Sequence, residues 1–130
     1  MAAILDLVFY ATAAGNEPVR DWLRSLPAEA RKTIGSDLWT VQTMWPIGKP
    51  LVDSFGGGLW EVRSTYDKVE YRVLVGLSAG VMYALHGFTK NTKTTTKADK
   101  ELGYARLAEV KQAESQATKS KRKKGRGATS

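Results

Sequence analysis

The sequence predicts an α+β fold in the order β-α-α-β-β-β-α: a small, mainly antiparallel curved sheet with two N-terminal helices packed on it and one C-terminal helix. Two observations carry this. Apolar residues between Val19 and Trp45 recur at helical spacing, and three strand-length runs between Leu59 and Phe88 are separated by hairpin-length turns.

Residues 3–10, AILDLVFY, are short, apolar and rich in strand formers, and read as the first strand. Gly15-Asn16 breaks the chain, with Asn16 as N-cap and Glu17-Pro18 in a first helical turn. Val19, Trp22, Leu23 and Leu26 then line one helical face. Pro27 opens a second helix with the stripe Ala30, Ile34, Leu38, Val41 and Trp45, which Pro46 stops. Residues 44–58 are punctuated by Pro46, Gly48, Pro50 and Gly56-Gly57-Gly58 and read as a loop. Leu59–Thr65, Glu70–Leu77 and Val81–Phe88 are three strands, joined through Tyr66-Asp67-Lys68 and Ser78-Ala79-Gly80. The last two are apolar on both faces and so belong at the centre of the sheet. Residues 89–96 are a loop or strand end, and 97–112 a third helix whose buried side is read as Leu102, Ala105 and Leu107, weakened by Gly103. The four tryptophans are read as core or helix-packing residues.

One domain, 1–112, is expected, followed by a disordered basic tail over 113–130, which lacks aromatics and large aliphatics. The net charge of +7 sits mostly there. Residues 111–130 hold seven Lys/Arg against Glu114 alone, whereas residues 1–110 hold thirteen against twelve Asp/Glu. Any case for nucleic acid in the body therefore rests on where its cations converge. With no cysteine, disulfides and thiolate metal sites are excluded, and a reducing, cytoplasmic compartment fits. No secretory signal is read at the N-terminus, and no apolar run approaches the roughly 20 residues of a spanning helix. No Asp cluster or His/Cys spacing suggests a metal.

The cations of the strand region, Arg63, Arg72, Lys90 and Lys93, are the candidate phosphate site. Alternation puts Glu61 and Arg63 on one face and Trp60 and Val62 on the other, while Arg72 can face either way. An alternative for Arg63 is a cross-strand pair with Glu61 or Glu70. His86 is the only histidine, suited by its ordinary pKa to acid or base work, or else a packed strand residue. Tyr66 and Tyr104 are candidates to stack on a base, or half-buried edge residues.

The blocks Leu59-Trp60-Glu61-Val62-Arg63, Tyr71-Arg72-Val73-Leu74 and Leu85-His86-Gly87-Phe88-Thr89-Lys90-Asn91-Thr92, in that order, resemble the RelE/ParE toxin superfamily, and within it the phage-derived HigB-type toxins of type II toxin–antitoxin systems. The chain departs at Asn91, where a second lysine is usual, and at Thr94-Thr95-Thr96, where proline is common. The resemblance implies a RelE-like fold and a metal-free endoribonuclease that cleaves mRNA on the translating ribosome, with no cofactor. It implies control by a small helix-turn-helix antitoxin of HigA type. Arg63, Lys90, Lys93 and His86 would be catalytic, and Arg72, Lys97 and Tyr66 would hold RNA or phosphate. The alternatives are a RelE-fold module that binds RNA or antitoxin without cutting, and a ParE-like gyrase inhibitor.

Overall fold

The structure, a computed structural model, describes residues 4–90 and 94–129, with side chains as far as residue 117. Its elements are β1 (Asp6–Phe9), α1 (Pro18–Ser25), α2 (Ala28–Met44), β2 (Val52–Gly56), β3 (Leu59–Tyr66), β4 (Val69–Ser78), β5 (Val81–Lys90) and α3 (Lys97–Thr129). The α+β class and RelE-like order are as expected, with one strand more: the punctuated segment read as loop contains β2. This short edge strand pairs antiparallel with β3 and ends where Gly56, Gly57 and Gly58 turn the chain with positive φ.

The sheet runs β1-β5-β4-β3-β2, with β1 parallel to β5 and every other pair antiparallel. The two apolar strands β4 and β5 are interior, as their composition requires. Both hairpins close on two residues of positive φ, Asp67-Lys68 (49° and 66°) and Ala79-Gly80 (52° and 77°), the sense that matches strand twist.

Two layers of helix cover opposite faces. Under α1 and α2 lie Val19, Leu23, Ala30, Ile34, Leu38 and Val41, packed on Val52, Val62, Val73, Val75, Met82 and Ala84. The α1 helix begins at Pro18 with Glu17 at its N-cap; Asn16 closes a turn with Thr12 instead. Trp39 departs from its core reading: it is 55% exposed on the outer side of α2. On the other face Leu59, Leu74 and Leu85 meet Leu107 of α3.

The α3 helix differs from expectation twice. Its buried line is Gly103 and Leu107, with Arg106 and Val110 half-buried, whereas Leu102 and Ala105 are exposed. Gly103 lets the helix approach: a Cβ there would come within 3.0 Å of Leu74 and 3.2 Å of Leu59. The helix also continues to Thr129, through the segment expected to be disordered. Ala113, Glu114, Gln116, Ala117 and the lysines that follow are good helix formers, and no proline interrupts them. Glu114 is tethered as well, accepting hydrogen bonds from Ser78 (2.6 Å) and Tyr83 (2.5 Å).

Candidate functional site

A bulge in β5 sets which side chains share the site. Leu74 pairs with His86 but Val75 pairs with Ala84, so Leu85 is the extra residue. The slip turns His86, Phe88 and Lys90 onto the face of Glu61 and Arg63. Register then arranges three rows across β3, β4 and β5: Glu61–Leu74–His86, Arg63–Arg72–Phe88, and Thr65–Glu70–Lys90.

Arg63 and Arg72 are thus direct cross-strand partners, and like charges so placed repel. Carboxylates offset this. Arg63 donates from Nη2 to Asp53 Oδ2 (2.9 Å) and from Nε to Glu61 Oε1 (3.2 Å). Arg72 donates from Nη2 to Glu70 (2.9 Å) and from Nη1 to the Tyr71 carbonyl (3.2 Å). Its Nε is buried 3.5 Å from Glu61 Oε1, without a hydrogen bond. Glu61 is itself only 1% exposed, and its Oε2 accepts from the Thr95 hydroxyl. The Arg72 bond and charge, with Lys90 and Arg63 adding to them, hold the Glu70 carboxyl below its usual range.

The two arginines differ in access. The Arg72 side chain is 4% exposed and that of Arg63 32%. Arg63 stands between two hollows. One, of about 420 Å³, is lined by Asp37, Leu51, Thr65, Glu70 and both arginines. The other, of about 160 Å³, lies toward α3 and includes Arg63, Lys90, Phe55, Thr95 and Lys100. The structure therefore brings Arg63 and Arg72 together, with Lys90 on the far flank of Arg63.

His86 shares the face but is committed elsewhere. Its Nε2 lies 2.7 Å from Asp99 Oδ1 at the start of α3, and its ring stacks on Phe88. Asp99 also accepts from the Thr96 hydroxyl (2.6 Å). Burial pushes the Asp99 carboxyl up, but the Thr96 and His86 bonds outweigh it and leave it below the ordinary value. Lys97 is an exposed residue of the first α3 turn, paired with Glu101 at 3.7 Å. Tyr66 alternates to the opposite face and packs against the α1–α2 core, away from the arginines. Lys93 lies outside the described residues.

Sequence reasoning missed several lining groups: Asp53, Lys100, Phe55 and the tether from Thr95. Alternation on β2 would have placed Asp53 beside Glu61, but that requires recognising β2 as a strand. Tyr104, a candidate base-stacking residue, instead donates its hydroxyl to the carbonyls of Phe55 (3.0 Å) and Gly56 (2.8 Å), tying the β2–β3 turn to α3.

Among the described residues no three His, Cys, Asp or Glu side chains gather as a metal-holding group, and no helix is long and apolar enough to cross a membrane. No curated protein matches the chain. Residues 21–108, more than half of it, match the phage-derived Gp49-like proteins (DUF891), a family related to the RelE- and HigB-type toxins, and the chain belongs to that family.

Proposed function

We propose that this protein is the toxin of a type II toxin–antitoxin pair and acts as a metal-free mRNA endonuclease on the translating ribosome. The observation that carries the reading is Arg63: a partly exposed guanidinium, backed by Arg72 and flanked by Lys90, between two hollows. Family membership supports a RelE-like toxin role.

In this reaction the substrate's 2′-oxygen attacks the adjacent phosphorus as the P–O5′ bond breaks. A base takes the 2′-hydroxyl proton and an acid returns one to O5′, leaving a 2′,3′-cyclic phosphate and a 5′-hydroxyl. Most of the barrier lies in the charge on the pentacoordinate phosphate, which preorganised donors relieve. Arg63 is suited to this because Asp53 and Glu61 fix its plane through Nη2 and Nε, and no bond to its Nη1 is seen among the described residues. Arg72 adds positive potential from behind, and Lys97, exposed on the first turn of α3, is the further RNA contact in this reading. Lys90, on the flank of Arg63, and Lys93 are proton-transfer candidates. His86 is the third, its ring oriented by Asp99 as a carboxylate orients a catalytic imidazole. The partner is a helix-turn-helix antitoxin of HigA type, controlling the cationic hollow by covering or displacing it.

The test is induced expression of wild type, Arg63→Ala and Lys90→Ala, with growth and message integrity followed together. Growth arrest with cleaved messages, lost in Arg63→Ala, is the expected result; equal toxicity of all three removes these residues from the mechanism. One observation favours a second reading, a module that binds RNA or antitoxin without cutting: Asp53, Glu61 and Glu70 already pair with the arginines. Intact messages on programmed ribosomes with RNA binding retained would select it.

A further inference from the structure

The 160 Å³ hollow beside Arg63 is smaller than the roughly 300 Å³ at which pockets begin to take drug-sized ligands. Its wall includes an aromatic ring, two lysines and the guanidinium assigned to phosphate. We propose that this hollow is a nucleobase subsite for single-stranded RNA, with the base stacked on Phe55 and its phosphate on Arg63. The inference rests on the reading of Arg63 as a phosphate contact and names what lies next to it.

Three features make Phe55 a platform. The ring packs against the cluster of Leu59, Leu74, Leu85 and Leu107, which fixes its plane. Its backbone carbonyl is held by Tyr104, so the turn carrying it is braced by α3. What lies over the ring is a lysine ammonium on a long side chain: Lys100 Nζ sits 4.5 Å from the centroid. Such a contact at a partly exposed site contributes roughly 2- to 5-fold in an equilibrium constant. A stacked base contributes roughly 5- to 150-fold. The base therefore displaces Lys100, whose ammonium is then free to pair with an adjoining phosphate. Stacking reads no sequence by itself, because every base offers a π-face. Thr95 and Asp53 at the wall place polar groups near the base edge.

The test uses a 2′-O-methyl trinucleotide, which cannot be cleaved, so that binding is read apart from catalysis. Its affinity and the ring-current shifts of its base protons are measured with wild type, Phe55→Leu, Phe55→Tyr, Lys100→Ala and Arg63→Ala. Upfield base shifts are expected with wild type, Phe55→Tyr and Lys100→Ala. Phe55→Leu, which keeps the apolar packing, should abolish the shifts and weaken binding at least about 5-fold. Arg63→Ala should weaken binding and flatten its salt dependence while keeping the shifts at saturation. Phe55→Leu behaving as wild type overturns the subsite and leaves the Arg63 reading standing. Arg63→Ala binding as wild type while Phe55→Leu fails overturns the phosphate contact and leaves the stacking. Loss of the shifts in Lys100→Ala, or no binding by wild type, overturns the subsite.

Discussion

Arg63 and Arg72 face each other across β3 and β4 with their Nε atoms 3.2 and 3.5 Å from one oxygen of Glu61. Two like charges side by side in a sheet are stable here because a buried carboxylate stands between them. Removing one member of a buried ion group leaves the others uncompensated, at a cost of about 3–5 kcal/mol. Glu61→Ala and Arg72→Ala are therefore expected to lose about that much in urea unfolding. Arg63→Ala, at the partly exposed end of the group, should lose about 1 kcal/mol or less. The contrast makes Arg63 the variant in which activity can be read without loss of fold.

Stability should fall off at both ends of the pH scale for identifiable reasons. The folded Asp99 carboxyl lies below its unfolded value, so the native state binds fewer protons there. Its contribution is complete above the unfolded carboxylate range and is lost as pH falls through the folded value. Asp99→Asn should flatten the acid limb of a stability–pH curve. Tyr83 works in the opposite sense. Its hydrogen bond to Glu114, with burial and the Glu114 charge, pushes it from 10.0 up to about 12. That contribution is complete below 10 and is lost between there and about 12 as the unfolded chain ionises first. Tyr83→Phe should remove this alkaline dependence.

Gly87 is required by packing. A Cβ at that position would fall 2.3 Å from the Trp22 ring on α1. Gly87→Ala should therefore push α1 off the sheet and destabilise by about 1–3 kcal/mol, seen as a lowered Tm. Pairing it with Trp22→Leu, which shortens the obstructing side chain, should recover part of the loss.

The end of α3 can be tested by truncation. A chain ending after residue 112 loses Glu114 and with it the acceptors for Ser78 and Tyr83. It should be less stable by about 1–3 kcal/mol, because two half-buried hydroxyls lose their partners. A chain ending after residue 117 keeps both bonds and should unfold like the full chain.

Much of this architecture is legible in the sequence because its signals are local. The stripe from Ala30 to Val41 is one continuous helical period, and Asp67-Lys68 and Ala79-Gly80 fall between strand-length runs rich in β-branched and aromatic residues. The β2 strand was hidden because its five residues sit among Pro46, Gly48, Pro50 and three glycines, so a paired edge strand reads as loop. The α3 face was misread because Gly103 counts against a helix in isolation, whereas its missing Cβ is what permits contact with Leu59 and Leu74. Alternation puts Arg63 beside Glu61, but the orientation of Arg72 follows only from the register of β3 with β4. Lys90 reaches that face through the β5 bulge, which no local residue type announces. The carboxylate share of the site depends on contacts from Asp53 to Arg63 and from Thr95 to Glu61, distant in sequence and set by the fold.

The central claim is that Arg63 stabilises charge on an RNA phosphate during cleavage. Single-turnover cleavage of message on programmed ribosomes, comparing wild type with folded Arg63→Ala, tests it most directly. Losing one such donor should slow cleavage by about 10²–10³-fold, with 2′,3′-cyclic phosphate ends on the wild-type products. Equal rates for the two proteins would contradict it.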